Sequence, residues 1–225
     1  MVTIPQAVEM VVKVKPFLSE ALSDGLINIS ALARKIKPDI EKIISKEAKH
    51  GAIVMALNRL SPQVNFSINK SIDKMRTMLG DIIVRSDLTD CTFRNSKTLI
   101  RCHMKVIESI AENPDIFYTL VRGVHESNLV ITSYYSELVD KFFEKEELIY
   151  KTENLSAITV KLHENNSRIP GFYYYILKSV AWEGINITEV ISTTNEFTIL
   201  VNDEDVDRAF SELKKMKRPG KLYNI

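Results

Sequence analysis

The chain has 225 residues, of which 45% are hydrophobic and 26% charged, so it contains enough apolar material for one large domain or two to three small ones. Its 30 basic and 29 acidic side chains give a net charge of +1, which excludes a uniformly basic protein that coats nucleic acid. No apolar run approaches the length of about 18 residues that a membrane span needs, and two cysteines without metal-ligand spacing indicate a reduced, cytoplasmic protein.

The first sixty residues have the periodicity of helices and a net charge of +3. Apolar residues from Val8 to Leu22 recur at helical spacing, and Gly25 is placed to end that helix. Ser30 follows as a predicted N-cap, because a serine hydroxyl accepts hydrogen bonds from the free N–H groups of a first turn. The beginning of the chain is therefore predicted to be helical.

Two prolines mark predicted helix boundaries in the rest of this segment. Pro38 is predicted to begin a further helix, because its missing N–H costs little in the first turn. A final helix is predicted over 48–60, and Pro62 is expected to end it. Several short helices within sixty residues predict a small helix-turn-helix-like domain over residues 1–62.

A helix-turn-helix domain can contact DNA or another protein, and the sequence leaves both open. On DNA, cationic side chains near the last helix would contact phosphates, and polar ones would read base edges. The candidate residues are Lys46, Lys49, Asn58 and Arg59. Against DNA stand the small net charge and Glu47 beside these residues, which also suit an ordinary solvated helix face.

From residue 80 onward the chain repeats one order of elements, strand–helix–strand–strand–helix, over 80–150 and again over 154–216. The predicted strands are 81–93, 116–121, 129–132, 155–162, 185–193 and 197–201, and the predicted helices are 98–113, 136–143, 172–182 and 206–216. This order is typical of ferredoxin-like βαββαβ units, in which two helices cover one face of an antiparallel sheet. The predicted fold class is therefore α+β, with a small N-terminal helical domain, two tandem ferredoxin-like units and a flexible tail over 217–225.

The sequence offers no catalytic constellation. Its seven glycines are too scattered for a phosphate-binding loop, and its four histidines lie far apart without ligand spacing. His103 and Cys102 are interpreted as packing residues of a helix. The acidic run Asp203–Asp207 precedes a helix, where carboxylates favour the positive end of the helix dipole. We therefore predict that the protein is not an enzyme and needs no metal or cofactor.

The richest candidate for binding is the loop that leads into the predicted helix 172–182. Polar residues there end in Pro170–Gly171 just where the helix begins, so free N–H groups would form a site for a carboxylate. Gly171 would let a ligand approach the backbone closely, and Arg168 would add directed hydrogen bonds. A polar loop with proline and glycine is also a common turn, so this signal alone is weak.

The surroundings of this loop resemble the ACT domain family. The resemblance rests on the segments 169–172 (IPGF), 176–177 (IL), 184–187 (GINI), 191–194 (ISTT), 197–201 (FTILV) and 206–213 (VDRAFSEL). It covers 154–216 well, whereas 80–150 matches only in element order. The closest subtype is the regulatory region of aspartate kinases, which has two ACT units in tandem. The kinase catalytic domain is absent from this chain, because the first eighty residues are helical and lack its glycine-rich phosphate signature.

The resemblance implies a regulatory module that binds an amino acid, or a similar small carboxylate, where two units meet. It places the ligand's charged ends on one loop and its backbone contacts on one strand. These residues are Asn166, Ser167, Arg168, Ile169, Pro170, Gly171 and Phe172 on the loop, and Thr188, Glu189 and Val190 on the strand. A homodimer is expected. The alternatives are a ligand-responsive transcription regulator that binds DNA, and a ligand-free dimerisation platform for a separate biosynthetic enzyme.

Overall fold

A computed structural model describes residues 2–164 and 171–217 of the chain. The chain divides into two units, Met1–Lys74 and Met75–Ile225. The helices of the first unit are α1 (Ile4–Lys13), α2 (Pro16–Ser23), α3 (Ile29–Ile44) and α4 (His50–Thr77), of which α4 continues into the second unit.

Side-chain caps fix the starts of α1 and α3 in the first unit. Thr3 accepts from the main-chain N–H of Gln6, and the Gln6 side chain accepts from the Thr3 N–H at 2.9 Å, which is a complete capping box for α1. The core beneath these helices consists of aliphatic residues at helical spacing. Its most deeply buried members are Ala7, Val8, Val12, Leu22, Ala33, Ile36, Ile40, Ala48, Ile53 and Leu57.

Four sequence predictions for this unit are wrong. The single helix predicted from Val8 to Leu22 is two helices, because α1 ends at Lys13 and α2 begins at Pro16. Asn28, not Ser30, caps α3, because its side-chain oxygen accepts from the Ala31 N–H at 2.9 Å, and the Ser30 hydroxyl lies 3.1 Å from His50 Nε2 instead. Pro38 and Pro62 lie inside α3 and α4 rather than at helix boundaries. Both prolines are exposed, so water can bind the carbonyl that each leaves unpaired. In α3, the buried Ile40 beyond the proline keeps the helix on the core.

The second unit contains one antiparallel sheet of six strands. In chain order its elements are β1 (Leu79–Arg94), α5 (Leu99–Ile110), β2 (Tyr118–Arg122), β3 (Glu126–Thr132), α6 (Ser136–Phe142), β4 (Leu148–Leu162), α7 (Phe172–Trp182), β5 (Glu189–Ser192), β6 (Glu196–Asn202) and α8 (Val206–Lys217). Short 3₁₀ turns precede α6 and α8. The strand order is β2-β3-β1-β4-β6-β5.

The two repeats share this sheet because β1 and β4 are each long enough to serve both. The C-terminal part of β1, 88–94, pairs with β3, and its residues 90–93 also pair with 148–152 of β4; these strands form a first half-sheet with β2. The N-terminal part of β1, 79–85, pairs with 157–162 of β4, and these segments form a second half-sheet with β6 and β5. The sequence predicts two units in tandem, whereas the repeats exchange a strand.

Each long strand is interrupted where one half-sheet passes into the other. The pairing register of β1 and β4 shifts at these points, and Asp87 and Asn154 both have a φ of +58°. Aspartate and asparagine tolerate this left-handed backbone better than other side chains do. Equivalent bulges therefore lie in both strands and bend the sheet.

Three cores hold the second unit together. α7 and α8 cover the second half-sheet over Ile158, Ile176 and Phe197, and α5 and α6 cover the first over Leu99 and Leu129. A third cluster joins the helix-free faces of the two half-sheets. Its buried residues are Leu88, Val130, Leu155, Ala157 and Leu200, with Phe117 and Ile191 packed against them. The bent sheet therefore brings its two helix-free faces together.

Candidate functional site

The predicted ligand loop meets the structure at the start of α7. Gly171 is the N-cap of this helix, with a φ of +82° and no side-chain hydrogen bond to the first turn, and Phe172 is buried beneath it. The remaining predicted loop residues lie outside the described part of the chain. These residues are Asn166, Ser167, Arg168, Ile169 and Pro170. The first turn of α7 therefore has no side-chain cap from the residues that are described.

The predicted strand residues lie at and just before β5, which is an edge of the sheet. The main-chain N–H of Thr188 donates to the carbonyl of Leu200 at 2.8 Å, and the Val190 side chain is 45% exposed. The aromatic ring of Tyr173 connects α7 to this strand, because its hydroxyl lies 3.0 Å from the Ser192 hydroxyl. The structure thus links the first turn of α7 to the C-terminal end of β5.

The Gly171 backbone gives a direct test of this helix start. A left-handed φ strains any side chain, so Gly171→Ala is expected to lower the free energy of unfolding by about 1 kcal/mol. Space is not the obstacle, since the nearest atom to an added Cβ is Met75 Cε at 3.6 Å. Gly51→Ala, in the first turn of α4 with open space around it, is the matched control and is expected to stabilise by about 0.5 kcal/mol. Urea unfolding measures both; equal effects would contradict the strain at Gly171.

Glu189 of β5 turns its side chain toward the other half-sheet. The Asn128 side-chain amide of β3 donates to Glu189 Oε1 at 3.2 Å, to Asp90 Oδ1 at 2.5 Å and to Thr92 Oγ1 at 3.2 Å. Burial raises the pKa of Asp90 to about 6, while the Asn128 hydrogen bond lowers it and the charge of Glu189 raises it. Burial also raises the pKa of Glu189. Asp90, Thr92 and Asn128 are isolated polar residues in strands, so no sequence motif marks them.

The first repeat has a carboxylate at the position that corresponds to the start of α7. Before α5, the hydroxyls of Ser96 and Thr98 both donate to the Glu146 carboxylate at 2.6 Å, and Cys102 Sγ lies 3.6 Å from it. Burial works to raise the pKa of Glu146, but these hydrogen bonds outweigh it and hold the pKa below its ordinary value. Ser96 also accepts from the Leu99 N–H at 3.0 Å. In this repeat the Glu146 carboxylate therefore occupies the space beside the helix start.

The other titratable residues noted in the sequence make hydrogen bonds or ion pairs within the fold. His103 is 1% exposed, its Nδ1 lies 2.9 Å from the Tyr118 hydroxyl, and burial lowers its pKa to about 4. Asp203 accepts from the Ser156 hydroxyl at 2.5 Å, and Asp205 pairs with Arg208. Within residues 2–164 and 171–217, no three or more His, Cys, Asp or Glu side chains are grouped to hold a metal ion.

The four candidate DNA contacts are exposed, and two of them line one cleft. Lys46 and Arg59 line the same cleft of about 440 Å³, whose other walls are mainly apolar residues of α1 and α4. Asn58 precedes Arg59 in α4 and therefore points about 100° away around the helix axis. Glu47 lies between Lys46 and Lys49 in the chain and pairs with Lys37 at 3.9 Å. DNA binding by these residues stays a prediction.

About two thirds of the chain shares its fold with aspartate kinase regulatory regions. The regulatory subunit of aspartate kinase from Thermus flavus is similar over 63% of this chain and 99% of its own, with a TM-score of 0.50 and 12% identity. Aspartate kinase from Clostridium acetobutylicum is similar over 63% of this chain, with a TM-score of 0.51 and 13% identity, and the match spans 35% of that enzyme. At such identities the likeness shows the fold alone.

Neither a family model nor a curated protein sequence matches the chain. The mixture of helices with an antiparallel sheet, predicted from the sequence, is confirmed by these structural neighbours. No helix within the described residues is long and apolar enough to cross a membrane.

Proposed function

We propose that the chain is a non-catalytic regulatory protein that binds an amino acid, or a similar small carboxylate, at the start of α7. The observation that carries this proposal is the Glu146 carboxylate beside the start of α5, held by two loop hydroxyls. The same fold position in the second repeat has a glycine N-cap without a side-chain bond. A ligand carboxylate would occupy there the place that Glu146 takes in the first repeat.

The two repeats then have different roles. The loop from Asn166 to Phe172 would hold the charged ends of the ligand, and β5 residues Thr188 to Val190 would contact it or a neighbouring unit. The first repeat would serve as scaffold, because its own Glu146 occupies the corresponding position. One ligand per chain is the resulting expectation. The Clostridium acetobutylicum relative in fold is an allosteric aspartate kinase, which supports a regulatory role.

A homodimer is part of the proposal, and two free strand edges support it. Among the described residues, 79–85 of β1 pair only with β4 and 148–152 of β4 pair only with β1, so within this part of the chain each strand has one unpaired side there. Exposed apolar residues line these segments, including Ile83 at 54% and Tyr150 at 58% exposure. Such edges favour pairing with a second chain. Ligand binding across units would then shift the population of their arrangements and reorient the helical unit.

The test is a thermal-unfolding screen of the full chain against the twenty amino acids. Ligand at 100 times its dissociation constant adds about 2.7 kcal/mol, which corresponds to roughly 5–10 °C in Tm for a chain of this size. We expect one amino acid to raise the Tm, Arg168→Ala to abolish the rise, and Lys97→Ala to retain it. Lys97 is the matched control, since it lies in the equivalent loop of the first repeat. A screen without any shift, or a full shift in Arg168→Ala, would contradict the proposal.

A further inference from the structure

A small polar cluster connects the two half-sheets on their helix-free side. It consists of Asp90 and Thr92 of β1, Asn128 of β3 and Glu189 of β5, and Asp90 is only 2% exposed. The Asn128 amide nitrogen bridges Asp90 to Glu189, whose strands lie in different half-sheets. Within the described residues β5 is an edge strand that pairs only with β6, and this bridge adds to the packing of Ile191 in attaching β5 to the first half-sheet.

Asn128 Nδ2 has fewer hydrogens than it has hydrogen-bond acceptors around it. Asn128 Nδ2 carries two hydrogens, yet three oxygen atoms lie within 3.2 Å of it. Two buried oxygen atoms have no hydrogen-bond partner in the described part of the chain: Oδ1 of Asn128, and the hydroxyl oxygen of Thr152, which lies opposite Asp90 in the β1–β4 register. Because Asn128 Oδ1 can only accept, the cluster contains an acceptor for one additional proton.

The charges around the cluster do not compensate the two carboxylates. Glu189 faces Asp90 from β5, while β3 and β4 face it with the uncharged Asn128, Val130 and Thr152. The nearest cation along β4, Lys151, pairs with Asp140 and Glu153 instead. The buried Asp90 and the half-buried Glu189 therefore repel each other when both are charged.

We propose that Asp90, Asn128 and Glu189 form a proton-operated clasp that holds β5 against the first half-sheet. When Asp90 is neutral, the repulsion from Glu189 is removed and the clasp closes; when Asp90 is charged, the clasp is weakened and β5 opens more often. The clasp goes beyond ligand binding, and it acts on a strand that the proposed ligand site uses.

The direction of the pH dependence follows from the burial of the Asp90 side chain. Its pKa of about 6 in the folded chain is above the ordinary value of about 3.9, because burial disfavours the charged form. A raised pKa means that the stabilising contribution is fully present at low pH and is lost as the pH rises through about 6. Between about pH 5 and about pH 7.5, linkage predicts a change of about tenfold in the opening equilibrium.

Hydrogen exchange of the full chain without ligand tests the clasp. After correction for intrinsic exchange rates, the β5 amides of the wild type are expected to be about tenfold better protected at about pH 5 than at about pH 7.5. Asp90→Asn, which keeps the acceptor for Asn128, should protect them equally at both. Glu196→Gln, an exposed carboxylate on β6, is the matched control and should respond as the wild type does.

Two results would overturn the proposal. One is a wild-type pH response that persists in Asp90→Asn. The other is a carbon-13 titration of the wild-type chain in which the Asp90 carboxyl titrates near its ordinary value; this measurement needs no variant to fold. Because no ligand is present in either experiment, failure of the clasp and failure of the ligand site are distinguishable.

Discussion

Phe197→Ala is expected to lower the free energy of unfolding by about 3–5 kcal/mol, which would be the largest effect of any single substitution considered for this chain. Phe197 of β6 is 2% exposed and lies between the sheet and α7, where the Tyr173 ring stacks on it at 5.0 Å. Removing the ring leaves a cavity and deprives Tyr173 of its support. Urea unfolding of the wild type and the variant measures the loss.

The same variant tests how α7 is positioned. Tyr173 holds the first turn of α7 to Ser192 of β5, so loss of its stacking partner is expected to weaken amino-acid binding as well. Phe197→Leu is the control, because it retains most of the buried volume and should cost about 1–1.5 kcal/mol. Equal costs for alanine and leucine would show that the ring is not packed as described.

Glu146→Ala is expected to cost about 2 kcal/mol of unfolding free energy, the scale of charge-assisted hydrogen bonds from Ser96 and Thr98. Its folded pKa is below the ordinary value, so the contribution is present at neutral pH and is lost as the pH falls through the folded pKa. Unfolding of wild type and variant at neutral and acidic pH measures both properties.

Acetate distinguishes a carboxylate site from a merely structural contact. In Glu146→Ala the two loop hydroxyls are left without their acceptor, and acetate in excess of its dissociation constant should restore part of the lost stability. The wild type, whose site is filled, should not respond. Glu146→Gln keeps the size of the side chain without its charge and should lose less stability than alanine does. An equal acetate response in all three proteins would contradict the similarity between Glu146 and a ligand.

The elements of the second unit follow closely from the sequence, whereas their pairing does not. The helix predicted over 172–182 is α7 with the same bounds, because its apolar face recurs at helical spacing and Gly171 precedes it. The pattern does not show that β4 begins at Leu148, since the exposed start of this strand lacks buried alternation. Sharing of β1 and β4 between repeats depends on contacts about eighty residues apart, such as Leu79 with Leu162.

Sequence rules for single residues also gave wrong helix boundaries in the first unit. Proline rules place Pro38 and Pro62 at helix ends, but both lie inside helices. In α3 the exposed Pro38 loses one hydrogen bond, while Ile40 beyond it stays buried in the core. The clasp residues have no sequence signal, because Asn128 meets Asp90 and Glu189 across 38 and 61 residues. Asp87 and Asn154 are a signal that repeat comparison can find, since each precedes a leucine in its strand.

The exchanged strand makes the two repeats inseparable. The second half-sheet takes its outer strand from 79–85, so a chain reduced to 154–217 would expose the long side of β4. A chain that ended before β4 would remove the neighbour of β1 in the first half-sheet as well. Neither repeat can therefore be removed, or transferred to another protein, without the other. A destabilising mutation in either repeat destabilises the whole second unit.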